Sequence, residues 1–105
     1  MTAPLLRIPN LQKPFVLRTD ASNVGLGACL LQYDDEVPYP ISFASRKLKP
    51  TEIMYSTIEK ECLALVWAIE RFNYFLVGKR FFVECDHKPL SFLDIVNNSN
   101  VKLQK

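Results

Sequence analysis

No stretch of this 105-residue sequence is long and apolar enough to span a membrane. Its greasiest run, Cys62 to Ile69, falls well short of the ~20 residues that a transmembrane helix needs. The opening MTAPLLRIPNLQKPF lacks the apolar core of a secretory signal. Charge of one sign is missing too: thirteen basic and eleven acidic residues leave a net charge of +2. That excludes the strong basic footprint of many nucleic-acid binders, although weaker binding stays compatible. Cysteine is sparse, and Cys29, Cys62 and Cys85 show no CxxC spacing. A disulfide framework is thereby excluded, and three thiols in apolar runs read as small core residues in a reducing compartment. Internal repeats and low-complexity tracts are absent. The expectation is one intracellular globular domain with a modest core.

What is present reads as a mixed α/β chain. Residues 1–14, with Pro4, Pro9 and Pro14, form an extended connector; residues 15–96 form the domain, and 97–105 a polar tail. FVLRTD (Phe15 to Asp20) alternates like a strand, and Ser22, Asn23 and Gly25 supply a turn into LGACLLQY (Leu26 to Tyr33). Gly27 suggests a bulge or a close backbone approach. A third strand spans Tyr39 to Ser45, with Tyr39, Ile41 and Phe43 on one face and Pro38 and Pro40 marking an edge. Ser56-Thr57-Ile58-Glu59 is a capping box that opens a long helix running to Asn73 or Tyr74. FFVECD (Phe81 to Asp86) returns as a fourth strand, parallel to an earlier one through the helical crossover. Pro89 suits the first turn of a short helix, Leu90 to Val96.

Three carboxylates stand out on this frame. Asp20 and Asp86 each close a strand on neighbouring strands. Glu61 falls within roughly 80° of Ile58, Leu65, Ala68, Ile69 and Phe72 on a helical projection, which predicts a glutamate on the buried face. Glu59 and Glu70 point away. A buried glutamate could pair with Arg18, and a strand-terminal aspartate is an ordinary turn former. Three together form an acidic cluster whose hard oxygens select magnesium or manganese over zinc.

TDAS (Thr19 to Ser22), GLGACL (Gly25 to Leu30), SFASRKL (Ser42 to Leu48), YSTIEKE (Tyr55 to Glu61) and DHKPL (Asp86 to Leu90) occur in one order. Together they resemble the ribonuclease H domain of gypsy-type LTR retrotransposon reverse transcriptases. The resemblance covers residues 4 to 95. It implies a ribonuclease H-like fold with three antiparallel strands, a parallel fourth, and a long helix packed on the sheet. It also implies a site of two Mg2+ or Mn2+ ions on Asp20, Glu61 and Asp86, hydrolysing the RNA strand of an RNA–DNA hybrid. No side-chain nucleophile is needed. The implied partners are the hybrid and the polymerase domain of the same polyprotein, in the cytoplasm, virus-like particles or nucleus.

The family's fourth acidic residue follows a fifth strand, and the chain is expected to stop before both. It then reads as part of a longer polyprotein, with a missing strand and weak or no activity alone. Asp94 belongs to the short helix and is no substitute; His87 is assigned no catalytic role. For substrate contact, Arg46, Lys47 and Lys49 suit either phosphates or a solvated turn, and Ser22 and Asn23 suit either sugar 2′-hydroxyls or an ordinary hairpin. Trp67, Phe72, Tyr74 and Phe75 read as packing rather than base-stacking platforms. The competing functions are a non-catalytic tether within a reverse transcriptase and a domesticated partner-binding module. Glu61 in an apolar helix face argues against a pure tether.

Overall fold

A computed structural model of the chain describes residues 7–85 and 88–91. Three strands form an antiparallel meander: β1 (Phe15–Ala21), β2 (Gly25–Asp34) and β3 (Val37–Lys47). A short helix α1 (Pro50–Ile53), the long α2 (Thr57–Arg71) and a single turn α3 (Asn73–Leu76) then cross the sheet. Strand β4 (Phe81–Cys85) returns parallel to β1, and β5 (Lys88–Ser91) pairs antiparallel with β4. The sheet order is β3-β2-β1-β4-β5.

Local chemistry explains each boundary. Ser22 Oγ accepts from Val24 N and Gly25 N (3.2 and 3.0 Å), which fastens the β1–β2 turn. Asp35 and Glu36 take φ of 50° and 68°, as a two-residue turn matched to strand twist requires. At α2, Ser56 Oγ accepts from Glu59 N (3.1 Å) while Glu59 Oε1 accepts from Ser56 N (2.9 Å). Those hydrogen bonds from Ser56 hold the Glu59 carboxyl below its ordinary pKa. The anticipated capping box is therefore formed. Gly78, at φ 71°, turns the chain toward β4.

The core lies between α2 and one sheet face. Ala64 and Ala68 are fully buried, and their small side chains let the helix sit close over β1 and β2. Phe15, Leu17, Leu30, Phe72 and Val83 form the main cluster, with Trp67 and Phe75 packed against it. Leu26, Leu48 and Ala64 form a second cluster nearer the β1–β2 turn. Truncating Leu17, which has no exposure, would cost about 2–5 kcal/mol. Tyr74 instead stands exposed, edge-on to Phe75 at 5.4 Å.

Several details depart from the expectations. The sheet is one strand wider than four: β5 covers the far edge of β4. Pro89 and Leu90, expected to start a helix, lie in this edge strand, where a missing ladder donor is tolerated. The rest of that expected helix lies outside the described residues. Phe43 does not share a face with Tyr39 and Ile41. A register shift occurs between Leu30, opposite Ser42, and Leu31, opposite Pro40. This irregularity resets the alternation, so Tyr39 and Ile41 stay buried while Phe43 pairs with Cys29 and is half exposed. The irregularity is thus at Leu30/Leu31 and not at Gly27.

The connector is also more tightly held than its prolines suggest. Gln32 is completely buried, and its amide exchanges hydrogen bonds with the Asn10 backbone. Asn10 N donates to Oε1 (2.9 Å), while Nε2 donates to Asn10 O (2.8 Å) and Lys13 O (3.1 Å). Tyr39 Oη also donates to Oε1 at 3.3 Å. Arg7 stacks over the Tyr39 ring at 4.4 Å. Among the described residues, no helix is long and apolar enough to cross a membrane.

Candidate active site

Asp20 sits near the end of β1. Phe15 and Leu17 face the helix, as does Ala21 against the second cluster; Arg18 and Asp20 alternate to the other side. In register, Asp20 pairs with Gly27, and Gly27 with Ser45. Asp20, Gly27 and Ser45 form a wall shared by two grooves. One, of about 620 Å³, is lined also by Arg18, Cys29 and Phe43. The other, of about 370 Å³, is lined also by Ser22, Arg46 and Lys47. Four of the residues expected from sequence therefore meet at one place: Asp20, Ser22, Arg46 and Lys47.

The remaining expected residues fall elsewhere. Glu61 is exposed, which corrects the expectation of a buried glutamate. Its helical angle is as anticipated, about 20° from both Ala68 and Phe72. The buried stripe runs through Lys60, Ala64, Ala68 and Phe72, however, and at the level of Glu61 it is centred on Lys60, about 100° away, while Thr57, Ile58 and Glu59 in the first turn are exposed as well. Glu61 lines neither groove. Asp86 and His87 lie outside the described residues. Asn23 is exposed at the β1–β2 turn.

Sorting the carboxylates by partner is more informative. Glu52 accepts from both terminal guanidinium nitrogens of Arg46 (2.8 and 3.1 Å) and from the Lys49 N–H (2.8 Å). Those bonds, Arg46 first, pull its pKa down to about 2. Arg46 is therefore a brace between β3 and α1, a third role beside phosphate contact and solvated turn. Glu84 accepts from Arg18 Nε (2.6 Å) and from Tyr33 Oη, and that second bond, with burial, raises the Tyr33 pKa. Asp34 meets Lys13 at 3.3 Å and Arg7 at 3.8 Å. Glu59 caps α2. By contrast, the Asp20 and Glu61 side chains have neither a hydrogen bond nor an ion pair among the described residues. Cys29 and Cys62 are unpaired and half-buried, and burial raises the Cys29 thiol pKa.

Comparison with known proteins places this arrangement. The family model of the RNase H-like domain found in reverse transcriptase matches residues 10–105. The chain belongs to that family. This RNase H-like domain is 46% identical over 102 residues to the retrovirus-related Pol polyprotein from transposon 297 of Drosophila melanogaster. The match takes in 97% of the domain and 9% of that protein. Against the Pol polyprotein from transposon gypsy of the same fly, identity is 42% over 102 residues, 96% of this chain and 10% of that one. The domain thus spans about a tenth of the length of these relatives. A solved foamy viral protease–reverse transcriptase, in complex with dsDNA, superposes with a TM-score of 0.67 at 20% identity. It covers 75% of the domain and 16% of the viral chain, and supports the ribonuclease H-like fold.

The motif set was legible in sequence, and so was Asp20. Gly27 and Phe43 as groove residues were not, because their places follow from strand register. The helix α1 was missed as well, although Pro50 at its first turn and Glu52 two residues on were signals for it.

Proposed function

We propose that this domain hydrolyses the RNA strand of RNA–DNA hybrids with divalent metal held by Asp20, Glu61 and Asp86. The observation that carries the reading is that Asp20, an exposed carboxylate on the wall of both grooves, has no partner among the described residues. Among the described residues, Glu52, Glu59, Glu84 and Asp34 each have a cation or a hydrogen-bond donor. Hard carboxylate oxygens suit Mg2+ or Mn2+. Among the described residues no three His, Cys, Asp or Glu side chains converge, and Asp86, the third assigned ligand, lies outside them. When bound, the ions would generate hydroxide from water and stabilise the leaving 3′-oxygen. The chain's own groups would do the rest. Asp20 and Glu61 supply negative charge that no ion pair among the described residues engages, although Arg18 and Arg71 line the same groove as Asp20. Lys47, exposed on the second groove, meets backbone phosphate without reading sequence. Ser22 is occupied by the turn, which leaves the Asn23 amide for a sugar hydroxyl. In the parent polyprotein the partner in the same chain would be the polymerase domain.

Titrating Mn2+ or Mg2+ into the chain tests this. Paramagnetic broadening should centre on Asp20 and Glu61, and Asp20→Asn should abolish it without lowering the melting temperature. In the longer parent, Asp20→Asn and Glu61→Gln should each end hybrid cleavage. Glu59→Gln is the control and should remove only cap stability, on the order of 1 kcal/mol. Cleavage that survives Asp20→Asn would overturn the assignment.

A second reading, a non-catalytic module with the same fold, draws support from the exposure of Glu61. An exposed glutamate costs little to retain, so the argument against a tether no longer rests on burial. Metal that leaves Asp20 and Glu61 unperturbed would decide for this reading.

A further inference from the structure

Gly27 is a mid-strand glycine with no conformational reason to be one. Its φ lies outside the left-handed region, and the register irregularity of β2 lies elsewhere. Glycine in a strand interior weakens it by leaving nothing to pack. A Cβ placed there would meet no atom within 4 Å. Gly25 differs, since its Cβ would come within 3.1 Å of Arg46 O. Gly25 is therefore held by packing, whereas Gly27 faces open space.

That space has a definite location. Gly27 stands between Asp20 on β1 and Ser45 on β3, and it lines both grooves. A side chain at this place on β2 would rise between the candidate metal ligand on β1 and the Arg46–Lys47 end of β3. Without one, the floor is backbone, and a strand of nucleic acid can approach the sheet closely. We infer that Gly27 is a clearance residue: its missing side chain lets the sugar–phosphate backbone of the RNA strand lie against β2 beside Asp20. This inference rests on the hybrid reading above and adds a positioning residue to it. Gly27 acts by shape and touches no reacting atom.

The test compares Gly27→Ala and Gly27→Val with the unaltered chain, reading three quantities. Melting temperature should stay level or rise, because the added carbons enter empty space and valine favours strands. Mn2+ affinity at Asp20 should not change. Affinity for an RNA–DNA hybrid, followed by fluorescence anisotropy, should fall in order of size, by about tenfold or more for valine. Gly25→Ala is the comparator and should lower melting temperature. Hybrid binding by Gly27→Val equal to that of the unaltered chain overturns the inference alone. An unaltered chain that binds no hybrid overturns the functional reading and this inference with it. If both Gly27 variants unfold, the premise of open space is wrong and the inference falls.

Discussion

Replacing Gln32 with methionine probes how the connector is joined to the domain. The side chain is fully buried, and methionine matches it in length and removes only the amide. Four groups then lose a partner: Asn10 N, Asn10 O, Lys13 O and Tyr39 Oη. At about 0.5–1.5 kcal/mol for each net hydrogen bond, simple addition gives about 2–6 kcal/mol. Asn10 is exposed, so its backbone can peel away and rehydrate, which removes the upper part of that range. The expected loss is about 2–3 kcal/mol, dominated by the buried Tyr39 hydroxyl and the loosened connector. Urea unfolding should show the midpoint shift. Amide exchange at Asn10 and Lys13 should accelerate more than exchange in β1, because the tie is local. Gln32→Glu should be worse at neutral pH, where a carboxylate would face two carbonyls, and should partly recover when protonated. A loss under about 0.5 kcal/mol, with exchange at Asn10 unchanged, would refute the view that Gln32 anchors the connector.

Further measurements address other parts of the fold. Glu36 pays for a left-handed backbone that glycine adopts freely, so Glu36→Gly should stabilise by about 0.5 kcal/mol after its greater unfolded-state freedom is counted; a lower melting temperature would contradict the turn geometry. Glu52 has a folded pKa near 2 against an ordinary 4.5, so its stabilisation is complete above pH 4.5 and disappears as pH falls through about 2. Glu52→Gln should therefore flatten the acid limb of a melting-temperature profile, and an unchanged limb would exclude the Arg46 brace. Ser56→Ala should cost about 1 kcal/mol and raise the Glu59 pKa only in part, because the Ser56 backbone N–H, the larger cause of its depression, remains; a carboxyl-carbon NMR titration would follow this.

Much of this architecture was legible because local rules agree with the tertiary structure. The Ser56–Glu59 box, the period-two pattern of β1 and the prolines of β3 each marked an element that formed where expected. The failures share one cause. Phe43, Gln32 and Gly27 owe their positions to pairing between strands, and a one-residue irregularity at Leu30/Leu31 is invisible in either strand alone. Glu61 shows a related limit: one helical projection assumes a straight buried stripe, whereas the stripe Lys60, Ala64, Ala68 and Phe72 rotates along α2 and passes Glu61 by at its N-terminal end. Asp20 stood out in sequence; that it has no partner among the described residues emerged only when the cations committed to Glu52, Glu84 and Asp34 were located.

That commitment of Arg46 to Glu52 bears on affinity. On the proposed hybrid reading, a duplex beside Asp20 would displace condensed counterions through few groove cations, Lys47 and Arg71, since the Arg46 guanidinium already neutralises a carboxylate. Few ions released means a shallow dependence on salt and a weak intrinsic grip. Under that reading, such a module would gain occupancy chiefly from being tethered near its duplex, where effective concentration does what charge does not.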